Sequence, residues 1–427
     1  MGIANSSWAP LRRPLYRALW IATLVSSIGT WMHEVGAGWL MVTLNPSPVM
    51  VALVQAATAL PAFILSLPAG ALADIVDRRR YLIAAQLWML GCAALLGTLT
   101  IAGAINAALL LGLTFALACG AAMMTPAWAA TVPELVPREE LASAIALNST
   151  SVNVARAIGP AIAGVLVAAA GPAAAFLLNA CSFVGVVVVL ARWQRAHAKT
   201  AERQAFFDAM RAGLHYARTA PRLQAVMVRG LTFFICSSAM WALLPLVARG
   251  AGGGARTYGV FLTCIGTGAV CAALLLPPLR ARWSRDHLVQ GASILLAMTM
   301  SVLAHAHSLY VLIPAMLLTG VAWLTVLSSL HVSAQTAVPG WVRARALSIY
   351  IVMLSLGMSA GAALWGAIAA RSSVSTALSA AAFGAVLAVL STRRFSLGTA
   401  DVAPGDGATD SQSASQVPAS SAHRGIS

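Results

Sequence analysis

Charged residues are scarce in this sequence. Asp, Glu, Lys and Arg make up 9% of its 427 residues, whereas 59% are hydrophobic, and a typical soluble domain has about 25% charged residues. Apolar runs of about 20 residues recur along nearly the whole chain, and each is long enough to cross a bilayer as a helix. They are too long and too uniformly apolar for the alternating strands of a membrane barrel. The composition therefore excludes an ordinary soluble protein and predicts an all-α integral membrane protein.

The sequence also lacks the patterns of several chemical sites. Its six cysteines fall within apolar runs without metal-ligand spacing, which favours buried apolar side chains over a metal site. It contains no GxxxxGK[ST] phosphate-binding loop. His305 and His307 occupy a short loop without nearby carboxylates, so no catalytic grouping is apparent. The sequence predicts no enzyme, no cofactor and no metal, and the basic loops favour membrane anchoring over nucleic-acid binding.

Hydropathy and turn signals predict twelve spans. Short segments such as Asn45-Pro46-Ser47-Pro48 separate them. The expected spans are approximately 16–43, 49–73, 81–102, 106–127, 143–169, 173–191, 226–248, 258–279, 288–306, 309–329, 346–369 and 374–391.

The chain divides into two six-helix units. Val132-Pro133-x-x-Val136 recurs as Val338-Pro339-x-x-Val342, and each copy falls between the fourth and fifth spans of its half. A duplicated six-helix unit is typical of secondary transporters, which hold substrate between their halves. The expected units are an N-terminal segment 1–15, a bundle 16–192, a linker 193–225, a bundle 226–395 and a tail 396–427.

Two of these units have distinct patterns of their own. Within the linker, residues 205–217 place Phe206, Met210 and Leu214 at amphipathic spacing, which predicts a helix at the membrane surface. The tail is rich in Ser, Ala, Gly and Asp and is expected to be disordered.

Basic residues predict the orientation. Arg249, Arg256 and Arg371 fall in one set of loops, and Arg156 falls within a span. All other Lys and Arg residues fall in the second set of loops, in the terminal segments, or at the span ends that adjoin them, as Arg17 and Arg229 do. Because cytoplasmic loops carry the excess of Lys and Arg, both termini are expected in the cytoplasm of a bacterium, with the spans in its inner membrane.

A charged turn, residues 70–80, interrupts the apolar sequence between the second and third spans. Its pattern Gly70-x-Leu72-Ala73-Asp74-x-x-Asp77-Arg78-Arg79 resembles the signature loop of the major facilitator superfamily. Residues 146–149, 153–160, 175–179 and 341–346 further resemble the enterobactin-exporter-like branch, the transmembrane secretion effectors. The resemblance covers residues 15 to about 395. It implies twelve transmembrane helices in two pseudo-symmetric six-helix bundles.

The resemblance also implies a role for the charged turn. Asp74 is expected to face helix ends of the other half, and Arg78 to bind carboxylates or carbonyls, so that the contacts depend on the conformational state. Gly70, Asp77 and Arg79 complete the motif, although the superfamily has glycine where Asp77 stands. The alternative is that the arginines only set topology, which does not account for the two aspartates.

The fifth span resembles the antiporter motif of exporters. Its Gly159-Pro160-x-x-Ala163-Gly164 supplies small residues for close helix contact and a proline that loosens the backbone ladder. A pliant helix between the halves is the functional interpretation, and ordinary small-residue packing is the alternative.

Glu34 and Arg156 are the clearest charges within spans. Such residues are costly in a membrane and usually face a cavity or a partner. The hypothesis is that Glu34 takes a proton while Arg156 holds it ionised until substrate or proton arrives. A structural ion pair, or a Glu34 that reaches water, remains an alternative.

Large side chains on four spans that line the cavity in this superfamily are candidates for substrate contact. Aromatic and methionine surfaces suit amphipathic ligands, although lipid-facing or core packing explains any one of them equally well. These candidates are Trp31, Met123, Met124, Trp241 and Trp323.

The favoured function is a secondary active transporter that exports a small amphipathic molecule, such as a siderophore, a drug or a metabolite, against proton entry. An uptake permease and a non-transporting regulatory relative are the alternatives. The expected partners are the lipid bilayer, protons and the substrate, and the protein is expected to be a monomer.

Overall fold

The computed structural model describes residues 8–193, 214–339 and 342–397, except for the side chains of residues 67, 71, 73–75, 343 and 344. Three expected features fall outside this part of the chain. They are the amphipathic positions Phe206 and Met210, the side chain of Asp74, and the tail from residue 398 onward.

Twelve long α-helices account for most of the described chain. In order they are α1 (Pro14–Leu44), α2 (Pro48–Ile75), α3 (Arg78–Ile101), α4 (Ala107–Leu135), α5 (Leu141–Ala170), α6 (Pro172–Arg192), α7 (Pro221–Gly250), α8 (Ala255–Arg282), α9 (Arg285–His305), α10 (Leu309–Thr336), α11 (Arg343–Arg371) and α12 (Val374–Thr392). Short 3-10 helices at Ala9–Arg12 and Arg138–Glu140 precede α1 and α5.

Eleven of the described helices are long and apolar enough to cross a membrane. The exception, α1, has 31 residues, but it carries His33 and Glu34 among its apolar residues, which lowers its hydropathy. Several helices exceed the predicted spans: α4 continues past residue 127 through Pro133, and α7 begins at Pro221 rather than near residue 226. Hydropathy registers where apolar residues stop, whereas backbone hydrogen bonding continues into the polar turns.

Local sequence explains where the helices begin. Asp77 accepts a hydrogen bond from the Arg80 backbone N–H at 2.9 Å and so caps α3, and Asn106 caps α4 in the same way. Such side-chain caps satisfy backbone donors that have no partner within the helix. Proline occupies the first turn of α1, α2, α6 and α7, where its missing N–H costs nothing. Gly171 turns the chain between α5 and α6 with φ of +77°, a conformation that favours glycine.

The two halves pack their helices in the same pattern. In α1–α6, the first helix contacts the fifth and sixth, the second contacts the fourth, and the third contacts the fourth and sixth; α7–α12 repeat each of these pairs. Between the halves, α2 packs along α11 and α5 packs along α8. This arrangement confirms the predicted fold of two pseudo-symmetric six-helix bundles.

Small residues bring the halves together at both interfaces. A Cβ built on Gly259 of α8 would lie 2.6 Å from the Cα of Gly164 of α5, so these two backbones are in direct contact. On the other side, the Ser359 hydroxyl of α11 donates to the Ala56 carbonyl of α2 at 3.2 Å. Close approach of this kind requires glycine, alanine or serine.

Candidate functional site

The bundle has two faces that differ in charge. One face, here called the arginine-rich face, holds the turns α2–α3, α4–α5, α8–α9 and α10–α11. The opposite, arginine-poor face holds the turns α1–α2, α3–α4, α5–α6, α7–α8, α9–α10 and α11–α12. Two spaces at the interface between the halves, one toward each face, are lined by the predicted charges. A third, of about 450 Å³, lies toward the arginine-poor face beside Val42 and Arg249.

A wide cavity of about 690 Å³ lies toward the arginine-rich face. It is lined by the last part of α4, the first part of α5 and the second half of α10, so both halves contribute to it. Apolar side chains such as Trp128, Ile145 and Leu324 form much of its wall. Its polar lining consists of Asn148, Ser149, Asn153, Arg156, Ser328 and His331.

A narrow pocket of about 40 Å³ lies toward the arginine-poor face. Glu34 of α1 lines it together with Gln55 of α2, and Trp241 and Tyr258 contribute from the second half. Glu34 interacts electrostatically with Tyr258. The pocket therefore places a carboxylate at the contact between the two bundles.

Trp31 connects these two spaces. Its side chain lines the narrow pocket beside Glu34, and its ring lies under the guanidinium of Arg156, whose Cζ is 5.8 Å from the ring centroid. Arg156 itself lines the wide cavity. In the described structure Glu34 and Arg156 interact electrostatically but form no salt bridge. Glu34 therefore lines the narrow pocket and Arg156 lines the wide cavity. The side chain of Trp31 borders the narrow pocket and contacts Arg156.

The antiporter-like motif contacts two neighbouring helices. A Cβ on Gly159 would lie 2.6 Å from the Cβ of Trp31, and one on Gly164 would lie 2.9 Å from the Cα of Gly259. Pro160 is buried within the same stretch of α5. The motif thus holds α1 and α8 close to α5.

Contacts between the halves close the arginine-poor face. Arg249, at the end of α7, donates to the carbonyl of Val42 at the end of α1 at 3.1 Å. A Cβ on Gly38 would lie 3.1 Å from the Tyr258 hydroxyl oxygen. Together these contacts cover the narrow pocket on its outer side.

The charged turn binds its own half through side chains that the structure describes. Arg78 donates to the Glu134 carboxylate at 2.7 Å and to the Ala130 carbonyl at 3.4 Å, which links α3 to α4. Arg79 donates to the Leu190 carbonyl at 2.8 Å at the end of α6. A Cβ on Gly70 would meet nothing within 4 Å. The gating role of Asp74 stays a prediction.

A second tie at the arginine-rich face joins α1 to the α4–α5 turn. Arg13 binds Glu140 through two hydrogen bonds of 3.0 and 3.2 Å, and the bond to this carboxylate raises the pKa of Arg13 above its ordinary value. Tyr16 donates to the Ala144 carbonyl at 2.9 Å. These bonds also lie within the first half.

The predicted large side chains divide into different environments. Trp241 lines the narrow pocket and packs on Trp323, with ring centroids 5.2 Å apart. Trp323 is buried against Phe233 and Phe234. Met123 and Met124 pack inside the first half, next to Tyr81 and Gln86, and line neither the wide cavity nor the narrow pocket.

The sequence interpretation missed a charged pair inside the second half. Arg229 had been counted among the basic anchors, but it is 4% exposed and forms a salt bridge with Asp286 of α9 at 2.5 Å. It also donates to the Thr392 carbonyl at 3.2 Å. Its position nine residues into α7 (Pro221–Gly250) was the available signal. The second signal was Asp286, a carboxylate near the start of α9.

Glu134, the partner of Arg78, was also overlooked. It occupies the first variable position of the repeated Val132-Pro133-x-x-Val136 motif. In the second half, Arg285 at the start of α9 donates to the Thr336 hydroxyl at 3.1 Å. Thr336 corresponds in the repeat to Ala130, the other acceptor of Arg78, so a contact between the third and fourth helices recurs in each half.

Solved structures of membrane transporters share this fold of two six-helix bundles. A bacterial homologue of the human lysosomal transporter Spinster, solved in an inward-facing conformation, matches with a TM-score of 0.70 over 90% of this chain and 98% of that chain, at 16% identity. A bacterial homologue of the iron transporter ferroportin, in an inward-facing state, matches with a TM-score of 0.66 over 88% of this chain and 96% of that chain, at 17% identity. These similarities show the fold.

The family follows from the sequence. The model of the transmembrane secretion effector family matches residues 5–421, and the chain belongs to this family. The staphyloferrin A transporter of Staphylococcus aureus is 26% identical over 253 residues, a match that spans 58% of this chain and 64% of that protein. The enterobactin exporter EntS of Salmonella typhimurium is 25% identical over 385 residues, 88% of this chain and 90% of that protein.

Proposed function

We propose that this protein is a secondary active transporter, not an enzyme, that exports a small amphipathic molecule by alternating access while protons enter. It works as a monomer in the inner membrane of a bacterium. Its arginine-rich face and both termini lie in the cytoplasm, because cytoplasmic loops carry the excess of basic residues.

The position of Trp31 between two spaces carries the proposal. The wide cavity lies toward the proposed cytoplasmic face, whereas the narrow pocket is covered by Arg249 and Tyr258. This distribution fits a cytoplasm-facing state in which substrate enters the wide cavity. Alternating access then requires the halves to rock until the cavity closes and the pocket opens.

The helix pairs α5–α8 and α2–α11 supply the surfaces on which the halves rock. Glycine, alanine and serine dominate their contacts, as at Gly164 with Gly259 and at Ser359 with Ala56. Small residues at these contacts let the helix backbones approach closely. The antiporter-like motif lies on one of these surfaces, which supports export over uptake.

Glu34 is the proposed proton-binding group. It is the one carboxylate among the described residues that line the narrow pocket. Opening that pocket would expose Glu34 to the outer side, and closing it would return the side chain to the neighbourhood of Arg156. Coupling to a proton gradient requires an ionisable group whose exposure changes with the conformational state in this way.

Transport by inverted membrane vesicles tests the proposal. A substrate is first chosen by efflux profiling in a host that lacks its own pumps. Inverted vesicles should then accumulate it when energised, and an uncoupler should abolish the accumulation. Glu34→Gln should remove gradient-driven accumulation at an unchanged protein level, whereas Glu139→Gln, an exposed carboxyl in the α4–α5 turn, should not.

Other outcomes contradict specific parts of the proposal. Accumulation by right-side-out vesicles alone indicates uptake. Unchanged, uncoupler-sensitive accumulation by Glu34→Gln rules out this residue as the proton-binding group. Absence of transport for every compound in the profile contradicts the transporter function.

A further inference from the structure

Arg156 lines the wide cavity without a hydrogen-bond acceptor. Among the described residues it forms no hydrogen bond and no salt bridge, and its recorded interactions are the cation–π contact with Trp31 and the electrostatic interaction with Glu34. A guanidinium has five N–H donors in one plane. Because no described residue accepts a hydrogen bond from these N–H groups, they remain available to a ligand that enters the cavity.

The other polar residues of the cavity wall also favour an anionic group beside Arg156. Asn148 and Asn153 on α5 add neutral hydrogen-bonding groups, as does Ser328 on α10, whose hydroxyl accepts a hydrogen bond from Arg280 at 2.8 Å. No carboxylate occurs among the described residues that line the cavity. Since Arg156 is the one permanently charged group there, the wall would attract a negative charge and repel a positive one.

The apolar part of the wall constrains the body of the ligand. Trp128, Ile145, Val152, Leu324 and Leu327 contribute apolar surface from both halves. A cavity of about 690 Å³ falls within the range of small-molecule sites, which bury most of a ligand against apolar and aromatic side chains. The ligand that matches both parts is small, apolar over most of its surface and anionic at one end.

We propose that the wide cavity binds an amphipathic anion whose carboxylate or sulfonate accepts hydrogen bonds from Arg156, with Asn148, Asn153 and Ser328 beside it. This inference rests on the proposed function, because the anion is the transported substrate. A planar guanidinium matches a carboxylate with two parallel hydrogen bonds, whereas an ammonium acts as a point charge.

The charge of the substrate also bears on the driving force. A membrane potential that is negative inside favours movement of an anion from the cytoplasm to the outside. Proton entry in exchange adds inward positive charge and is favoured by the same potential. Export of an anion through this site is therefore assisted by the electrical part of the gradient as well as by its proton part.

Binding of four naphthalene probes to the full-length protein in nanodiscs tests the inference. Two probes are anions, 2-naphthoate and naphthalene-2-sulfonate; 2-naphthamide is neutral and 2-naphthylmethylammonium is a cation. Isothermal titration calorimetry measures their affinities, with empty nanodiscs subtracted to remove partition into lipid. The anions should bind at least about 10-fold more tightly than the amide, as a charged hydrogen bond predicts, and the cation should bind most weakly.

Three variants assign the effect to Arg156. Arg156→Gln should weaken binding of the anions by about 10-fold or more and leave the affinity for the amide unchanged. The affinity of Arg156→Lys for the anions should lie between those of the parent protein and Arg156→Gln, because lysine keeps the charge without the planar fork. Arg371→Gln is the matched control, since Arg371 is exposed at the end of α11 on the arginine-poor face.

The outcomes separate this inference from the proposed function. Lack of binding by both anions, preference for the cation, or equal anion binding by Arg156→Gln overturns the anion site, whether or not vesicles transport a compound. Charge-selective binding that depends on Arg156 supports the site even if vesicle transport fails, and that failure would count against the transporter function alone.

Discussion

The guanidinium of Arg156 lies over the indole ring of Trp31, with Cζ 5.8 Å from the ring centroid. Arg156 comes from α5 and Trp31 from α1, and each lines a different interfacial space. The pair therefore connects a residue of the wide cavity with a residue of the narrow pocket. Its integrity should affect both the stability of the first half and access to Glu34.

A double-mutant cycle measures this contact. Trp31→Leu and Arg156→Gln should each lower the free energy of unfolding, and their effects should be coupled by about 0.5–2 kcal/mol, the range for a cation–π pair. Unfolding in a series of detergent mixtures measures the free energies. Loss of indole packing on Gly159 cancels in the cycle, so strictly additive effects would show that the pair contributes no cation–π energy.

Close contact of α5 and α8 should be required to seal the arginine-poor face. Gly259→Ala places a methyl group against the Cα of Gly164 and should cost about 1–3 kcal/mol through overpacking. It should also speed the labelling of Val42→Cys by an impermeant maleimide in a background without the native cysteines. Val42 is 2% exposed, so slow labelling is expected in the parent protein.

A matched glycine serves as the control for that experiment. Gly112 lies within α4, and a Cβ there would meet nothing within 4 Å. Gly112→Ala should leave both stability and labelling within error of the parent. Equal effects of the two alanine substitutions would indicate a general change in helix stability.

The Arg78–Glu134 pair should contribute little to stability but measurably to transport. Both side chains are about a quarter exposed, at 24% and 27%, and pairs near the surface contribute roughly 0–1 kcal/mol. If the charged turn gates transport, Arg78→Gln and Glu134→Gln should lower the maximal rate several-fold with melting temperatures nearly unchanged. Arg80→Gln, on an exposed neighbour, should leave the rate intact; equal rates in all three variants would argue for a topological role only.

The Arg229–Asp286 pair should be essential for folding of the second half. Arg229 is buried and Asp286 also accepts a hydrogen bond from the Leu397 backbone N–H at 3.2 Å. Asp286→Asn leaves a buried guanidinium without its counter-charge, which should cost about 3 kcal/mol and lower the melting temperature in detergent. Arg285→Gln, which removes the neighbouring hydrogen bond to Thr336, should cost far less. Equal losses would show that charge burial is not the cause.

The residues of the candidate site could be predicted one by one from local sequence patterns, but their contacts could not. Motif and hydropathy identified Glu34, Arg156 and Trp31 separately, because intramembrane charges and aromatics are visible in one dimension. The hypothesis of a Glu34–Arg156 ion pair did not anticipate the ring that contacts both spaces. Which face of α1 each residue occupies depends on the rotation of the helix in the bundle, and packing sets that rotation.

The charged turn shows the same limit for partners distant in sequence. Arg78 and Arg79 were found from the motif, but Glu134 and the carbonyls of Leu190 and Ala191 were not. These acceptors lie more than 50 residues away along the chain. Only the packing of α3 against α4 and α6 brings them to the turn.

Arg229 illustrates an error of another kind. Counting basic residues by loop treats each arginine as an anchor at the membrane surface, and this holds where the side chain reaches headgroups. Inside α7 the same residue is buried against Asp286 of α9. Counting could not distinguish the two, because it ignores the depth of a residue within its helix and the packing that brings α7 against α9.

The sequence alone determined that this chain is a helical membrane protein with an internal repeat and a strongly asymmetric distribution of arginines. These properties are sums of local terms: the transfer of each side chain into lipid, the length of each apolar run, and the charge of each turn. Only the tertiary structure decided that α5 meets α8 through two glycines, that Trp31 lies under Arg156, and that the guanidinium of Arg156 faces the cavity with no acceptor among the described residues. Those relations depend on how the helices rotate and tilt against one another. Small residues permit the close approach, but the sequence of a single helix does not determine its rotation in the bundle.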